Sequence, residues 1–394
     1  MDWMLRAQML RDELVAQRRD LHRHPEIAFE EVRTAGVVAR ELSGLGLEVI
    51  TGVGKTGVIG ILEGAAEGPT VLIRCDMDAL PVQEMMNTAY ISGTPGKMHA
   101  CGHDGHTAIG LAVAKMLSEH REQLAGRVKF IFQPAEELAL GAQAMIRDGA
   151  LDAPTPSISL GLHLWSELPT GTVSVTEGAA FAAANDFQII IRGKGGHGAM
   201  PHQTRDPIVA GTQIVGAMQT IVSRSVDGLE TAVVSVCGFH SGHAHNVIPD
   251  SAELFGTFRT YQRHLVDLIE TRIHEIATGI AAVNGCTAEV VVNRLTPPLI
   301  NDAATNARLS DLFQTMPAAT PLTVIDSART MASEDMAFWL ERAPGTYFFV
   351  GARNEGRGIT YPHHHPQFDI DEDALPIAAG LLAAAAASYV YRGG

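Results

Sequence analysis

Residues 127–137 read RVKFIFQPAEE, and the reading of the fold turns on them. The run Arg127 to Phe132 has the Val, Phe and Ile content of a strand buried in a sheet, and Gln133-Pro134 ends it. Two carboxylates, Glu136 and Glu137, follow at once. The same order recurs along the chain. Val71 to Arg74 is a short β-rich run that ends in Asp76 and Asp78, and Ser157 to Trp165 (SISLGLHLW) and Thr346 to Val350 (TYFFV) are further apolar strands. Thr107 to Gln123 between them has a helical pattern. Strands alternating with helices predict an α/β fold, a mostly parallel mixed sheet flanked by helices. Polar residues gather just after the apolar strands. In open α/β sheets, sites form outside the carboxyl ends of the strands. The site is therefore located before its chemistry is known.

Outside this frame, Leu5 to Leu21 has apolar residues at helical spacing, closed by Pro25, and Glu48 to Glu63 reads as β-like stretches broken by glycines. Leu375 to Val390 is Ala-rich, contains Pro376 and Gly380, and reads as a buried helix. A second unit occupies residues 185–295. Its expected strands are Phe187 to Arg192, Thr231 to Cys237, Ala252 to Arg259 and Thr287 to Asn293, and its expected helices are Pro207 to Ser223 and His264 to Val283. The order is βαββαβ, the split pattern of ferredoxin-like domains. Both ends adjoin α/β material, so it reads as an insertion between residues 1–184 and 296–394.

Composition fits this picture. Of 394 residues, 46% are hydrophobic and 19% charged, enough apolar material to offset the entropy of ordering. Acidic residues outnumber basic ones by 44 to 29, a formal charge of -15, and no basic patch interrupts them, which argues against nucleic acid as a partner. Cys75, Cys101, Cys237 and Cys286 make no disulfide framework in so long a chain. Met1 to Arg19 lacks the apolar core of a secretory signal, and Leu375 to Val390 falls short of the ~20 residues that span a bilayer. The expectation is a cytoplasmic enzyme without a membrane partner.

The chemistry concentrates in Met98 to His106 (MHACGHDGH), three histidines, a cysteine and an aspartate among glycines. Cys101 and His103 are one residue apart, so an irregular loop can present a thiolate and an imidazole to one ion, a pairing suited to zinc or a neighbouring first-row metal. As a small buried hydrophobe and loop histidines they would need no ion. Glu136 and Glu137 in an extended chain point oppositely, so one can bind metal while the other takes a proton from water. As an acidic pair opening a helix they would need only its dipole. His163 lies in an otherwise apolar strand, where a lone histidine is more often a satisfied core residue. Tyr361 to Asp369 (YPHHHPQFD) adds three consecutive histidines, and Pro366 biases His365 toward an extended backbone, so neighbours alternate in direction.

The sequence resembles the M20 metallopeptidase family, specifically its aminoacylase-like amidohydrolase branch, which includes hippurate hydrolases and hydrolases of indole-acetyl amino acid conjugates. The segments that carry the resemblance run nearly end to end: LHRHPEIAFEE, RCDMDALPVQE, MHACGHDGHTA, FQPAEE, GLH, GKGGHGAMPH, HNVIPD, GTFRT, SEDMAFW and HHPQFD. The resemblance implies a metal-binding α/β domain with an inserted lid that joins subunits into a homodimer or homotetramer. It implies metal ligation by Cys101, His103, Glu137, His163 and His364, with Glu136 as general base. His197 matches the residue that stabilises the oxyanion, in its own or a partner subunit's site. Asn246 and Arg259 match lid positions that hold substrate carboxylate. Asp78 matches a carboxylate that orients a ligand, a role open to Asp76 and Asp104 as well.

Residue chemistry agrees with that assignment. Five donors exceed one open tetrahedral catalytic zinc but fit a pair of ions. Cys, His and Glu donors accept zinc, manganese, cobalt or nickel. The activity implied is hydrolysis of the amide of a small N-acyl amino acid (hippurate-like, N-acetyl or a related conjugate) to a carboxylic acid and a free amino acid. A carboxypeptidase or dipeptidase would use the same site on a similar amide beside a free carboxylate. A metal-retaining binding protein without turnover would have little use for Glu136.

Overall fold

A computed structural model describes residues 1–316 and 322–392. The chain forms two compact units, one of Met1–Ala180, Ile300–Arg329 and Asp335–Gly394, the other of Phe181–Leu299 and Thr330–Glu334.

The first unit is built on an eight-stranded sheet in the order Glu48–Val53, Gly57–Glu63, Ala125–Gln133, Ala66–Asp76, Ile158–Pro169, Gly345–Arg353, Thr172–Ser174, Thr323–Ile325. Ala66–Asp76 runs parallel to both of its neighbours, and Ile158–Pro169 runs parallel to Gly345–Arg353. The first two strands and the pairing of Gly345–Arg353 with Thr172–Ser174 are antiparallel. The α/β reading therefore holds, with a mixed, mostly parallel centre. The central strands are apolar throughout because both faces are covered. Leu72, Ile73, Phe130, Phe132, Leu160 and Phe348 are all fully buried.

Helices His103–Ser118 and Ala374–Val390 pack against each other and on the central strands. The Ala-rich helix has only Ser388 and Tyr389 outside its buried set. Gly380 permits a close crossing there, since a Cβ would meet Met4 Sδ at 2.6 Å. The helix expected over Leu5 to Leu21 is two helices, Trp3–Met9 and Arg11–Arg23. The break falls at Leu10 (φ −91°, ψ 2°), whose side chain is buried, so the apolar spacing runs through the turn unaltered. The helix expected from Thr107 begins earlier, at His103, and stops at Ser118, with Arg121–Gln123 a separate 3₁₀ turn. Gly102 makes the early start possible by taking a left-handed φ of 87°.

In the second unit, Ala232–His240, Ser251–Thr260, Ala183–Arg192 and Thr287–Thr296 form an antiparallel sheet in that order. Helices Pro207–Thr220 and Arg263–Val283 cover one face. Phe187, Ile189 and Ile191 point to that face and are buried, while Gln188 and Arg192 are exposed, the period-2 alternation of a half-covered sheet. Leu265, Ile269, Ile273 and Ala277 form the matching helical stripe. This is the βαββαβ arrangement expected. The unit extends a few residues beyond 185–295 because Ala183 and Ala184 still pair with Thr260 and Arg259. It also recruits Thr330–Glu334, through the Phe181–Thr330 bridge and the Ala182 amide bonded to the Ala332 carbonyl at 3.0 Å.

Candidate metal centre

From Ala66–Asp76 the chain goes on to Ala125–Gln133 on one side, and Ile158–Pro169 lies on the other. The strand order thus reverses about Ala66–Asp76 and leaves a crevice at the carboxyl ends, the usual ligand position of an open α/β sheet. Asp78, Glu136 and Glu137 follow two of these strands, His163 lies within the third, and Cys101 and His103 flank the start of helix His103–Ser118.

The side chains converge. Cys101 Sγ lies 3.6 Å from His163 Nε2. His364 Nε2 lies 3.4 Å from Glu137 Oε1. Cys101, His103 and His163 each offer a ligand atom within 4.8 Å of one another, and so do Cys101, Glu137 and His364. Cys101 belongs to both triads. His103 Nε2 is buried without a hydrogen-bond partner among the described residues, with Glu136 Oε2 at 4.0 Å and Asp76 Oδ2 at 3.8 Å. On the far side of its ring, Nδ1 donates to Asp78, 3.0 Å from the carbonyl and 3.2 Å from Oδ1, which fixes the tautomer that leaves Nε2 as a donor atom. His163 is fixed likewise, its Nδ1 2.8 Å from the Leu164 carbonyl.

The electrostatics describe a site crowded with acceptors. Burial pushes the Cys101 thiol well above its ordinary range, and Glu137, Glu136 and Asp76 push it further. Burial alone would depress the His103 imidazole, but Asp76 and Asp78 overcome it and raise it to about 10. Both shifts arise from carboxylates gathered at a buried site, the surroundings that favour a bound cation.

Three details separate residues that the sequence left together. His363 has both ring nitrogens occupied, Nδ1 2.9 Å from Ser166 Oγ and Nε2 3.0 Å from the Leu164 carbonyl, and burial pulls it down to about 3. His365 stacks on Tyr361 at 4.4 Å and accepts the Gln367 amide at Nδ1. His364, with φ 65° and its amide on the Ala100 carbonyl at 2.8 Å, is the one turned to Glu137 and Cys101. His106 is also fully engaged: Nδ1 donates to Asp76 Oδ1 at 2.6 Å, and Nε2 accepts the Leu164 amide at 2.9 Å.

Buried charges brace the loops. Arg74 Nη1 pairs with Asp76 Oδ2 at 2.6 Å and Nη2 with Asp335 Oδ1 at 2.7 Å. Arg18 pairs with Asp104 Oδ2 and Asp369 Oδ1, both at 2.8 Å. Asp104 therefore serves Arg18 and His22 and donates nothing to the donor cluster, whereas Asp78 takes the Glu137 amide at 3.0 Å as well as orienting His103. The sequence reading missed Arg18 and Arg74. Their signal was a cation at an apolar position of a helix or strand.

In the second unit, His197 and Asn246 are neighbours. His197 pairs with Val247 across a two-residue ladder, and the Gly198 amide bonds the Asn246 carbonyl at 2.8 Å. Arg259 is elsewhere, its Nη1 donating to the Asn185 and Phe258 carbonyls, both at 3.1 Å. The His197 hairpin leaves the sheet at the Arg192–Ser251 end, and Arg259 lies eight residues along the strand, about 27 Å at ~3.4 Å per residue. Within one chain, Asn246 and Arg259 do not meet on one substrate group.

Residues 72–388 match the peptidase family M20/M25/M40. The chain belongs to that family. It is 39% identical over 376 residues to an N-acetylcysteine deacetylase of Bacillus subtilis (94% of this chain, 95% of that protein). It is 39% identical over 383 residues to the Arabidopsis thaliana IAA-amino acid hydrolase ILR1-like 4 (96% and 86%). The crystal structure of the Bacillus subtilis YXEP protein, a dinuclear metal binding peptidase of the M20 family, superposes with a TM-score of 0.84 at 36% identity over 96% of this chain and 98% of that one. The chain is a metal-dependent hydrolase of this family. No helix among the described residues is long and apolar enough to cross a membrane.

Proposed function

We propose that this protein is a binuclear metal-dependent amidohydrolase that cleaves the amide of small N-acyl amino acids to a carboxylic acid and a free amino acid. The observation that carries the reading is the pair of donor triads that share Cys101, with Glu136 beside them. The fit is chemical as well as geometric: thiol, imidazole and carboxylate donors, and a buried His103 Nε2 with no hydrogen-bond partner among the described residues. One ion would be held by Cys101, His103 and His163, the other by Cys101, Glu137 and His364. The donors suit zinc, manganese, cobalt or nickel. Two such ions would supply Lewis acidity and bring the pKa of water toward about 7.

The chain's own groups do the rest. Glu136 Oε2 accepts the proton of the attacking water and returns it to the leaving amine nitrogen. Glu137 differs from it by one residue and one role, because its amide is tied to Asp78 and its carboxylate turned to His364. Asp78 keeps the proton of His103 on Nδ1. His197 neutralises the oxyanion as it develops, and Arg259 of one subunit with Asn246 of another holds the substrate carboxylate. The separation of the His197–Asn246 hairpin from Arg259 supports a reading in which the hairpin serves a partner subunit's site and the second unit is the dimerisation domain. The names of the deacetylase and the conjugate hydrolase support the substrate class, since each describes an amide on an amino acid nitrogen.

The test is metal analysis coupled to hydrolysis of N-acetyl, N-benzoyl and indole-acetyl amino acids beside dipeptides, with and without chelator. Chelator-sensitive release of free amino acid from the acylated series, faster than from dipeptides, is the expected result. Faster dipeptide cleavage would make the protein a peptidase on the same site, and metal binding without turnover would make it a binding protein.

A further inference from the structure

Glu136 and Glu137 sit on a turn with an unusual backbone. Ala135 takes φ 52° and Ala139 φ 55°, left-handed values that residues with a Cβ rarely adopt. The turn closes on itself, with the Gly141 amide 3.1 Å from the Ala135 carbonyl and the Ala139 amide 2.6 Å from that of Glu136. Such backbone persists where the surroundings over-determine it.

Part of that determination comes from outside the turn. The Ala135 amide donates to Glu31 Oε1 at 3.0 Å, and the Glu137 amide donates to Asp78 Oδ2 at 3.0 Å. The two amides that flank Glu136 are thus each held by a buried carboxylate from another segment. Asp78 already has a role toward His103; Glu31 has none. Glu31 has no exposed surface, and although it precedes helix Val32–Gly44 its side chain caps nothing there. Its remaining bonds lock the carboxylate itself: the Phe29 amide on Oε1 at 3.0 Å and the Thr56 hydroxyl on Oε2 at 2.5 Å. Burial pushes the Glu31 carboxyl above its ordinary range, and the Thr56, Ala135 and main-chain bonds oppose that. A carboxylate in so costly a place is used as an anchor.

We propose that Glu31 is a positioning residue for the hydrolytic step: it pins the left-handed turn at Ala135 and so sets where Glu136 and Glu137 carry their carboxylates. The inference rests on the roles given to those two residues above. Glu31 touches neither substrate nor ion. It acts through the backbone, 104 residues away in sequence. Displacing reacting groups by about 1 Å costs on the order of 10²-fold in rate.

The experiment compares wild type with Glu31→Ala and Glu31→Gln by two readouts. The first is amide hydrogen exchange, by mass spectrometry, of the peptide spanning residues 133–141 in metal-free protein. The second is kcat and KM on an N-acetyl amino acid after reloading. Glu31→Ala should speed exchange of that peptide ~10-fold or more while peptides of the second unit stay unchanged, and should lower kcat ~10–100-fold with KM within about twofold. Glu31→Gln keeps the Oε1 acceptor and should recover most of both. Unchanged protection of 133–141, or an unchanged kcat per loaded molecule, would overturn the proposal and leave Glu31 as a brace for Phe29 and Thr56. If Glu31→Ala does not fold, Glu31→Asp, whose acceptor is drawn back by one methylene, is judged by the same two results. A wild type that hydrolyses no acylated amino acid would defeat the reading of function instead, and the exchange result would still decide the role of Glu31.

Discussion

Arg18→Met should destabilise the first unit by about 3 kcal/mol, the low end of the ~3–5 kcal/mol expected when one partner of a buried ion pair is removed. The guanidinium is fully buried between Asp104 and Asp369, both at 2.8 Å, with Glu372 at 3.5 Å and the Tyr90 ring centroid at 4.9 Å. Methionine fills similar volume, so the loss is of charge and hydrogen bonds more than of packing. The low end applies because each carboxylate keeps a partner. Glu372 retains Arg19 at 2.6 Å, Asp104 retains His22 at 2.7 Å and the Gly105 amide at 2.9 Å, and Asp369 retains the Tyr90 hydroxyl at 2.7 Å. The assay is urea unfolding of metal-free protein followed by tryptophan fluorescence, because all three tryptophans, Trp3, Trp165 and Trp339, lie in the first unit. Metal-free conditions keep ion binding from shifting the transition. Asp104→Asn should cost less in the Arg18→Met background than in wild type, since the charge it removes has by then lost its guanidinium partner. A loss under about 1 kcal/mol, or strict additivity of the two substitutions, would refute the idea that Arg18 holds helix Arg11–Arg23 to the metal loop through its charge.

Other outcomes follow from the same geometry. Glu136→Gln should abolish turnover while metal content, read by mass spectrometry of the elements, stays near wild type; loss of metal would exchange the roles given to Glu136 and Glu137. His364→Gln should lose about one ion per chain, and His363→Gln none, because both His363 nitrogens are bonded to protein. Gly141→Ala places a Cβ 1.6 Å from the Pro134 carbonyl and should cost ~1–3 kcal/mol or more with loss of activity, checked by the same urea curve and the hydrolysis assay.

The central strands were legible because burial on both faces makes them apolar end to end, and RVKFIF and SISLGLHLW have no competing period. The inserted unit was legible for the opposite reason, since its half-covered sheet alternates cleanly at Phe187, Ile189 and Ile191. Where the reading missed, tertiary contacts decided. Leu10 is buried whether or not the helix continues through it, so no spacing reveals the turn. The helix at His103 starts on a left-handed Gly102 inside a stretch whose composition reads as loop. Thr330–Glu334 joins the second unit through bonds to Phe181 and Ala182, far from it in sequence. At the site, Cys101 and the carboxylates were conspicuous by type, but three adjacent histidines are chemically equal until the positive φ of His364 turns one of them away. Glu31 and Arg18 act through partners at distant positions, which no local pattern records.

The most direct test of the whole account is the number of divalent ions retained per chain after exhaustive dialysis, compared across three substitutions. Because Cys101 stands in both triads, Cys101→Ser should lower the affinity for both ions, whereas His163→Asn and His364→Asn should each cost about one. A Cys101→Ser protein that keeps the full wild-type complement would show that no thiolate is shared between the ions, and a wild type that retains fewer than two ions per chain would contradict the binuclear reading itself.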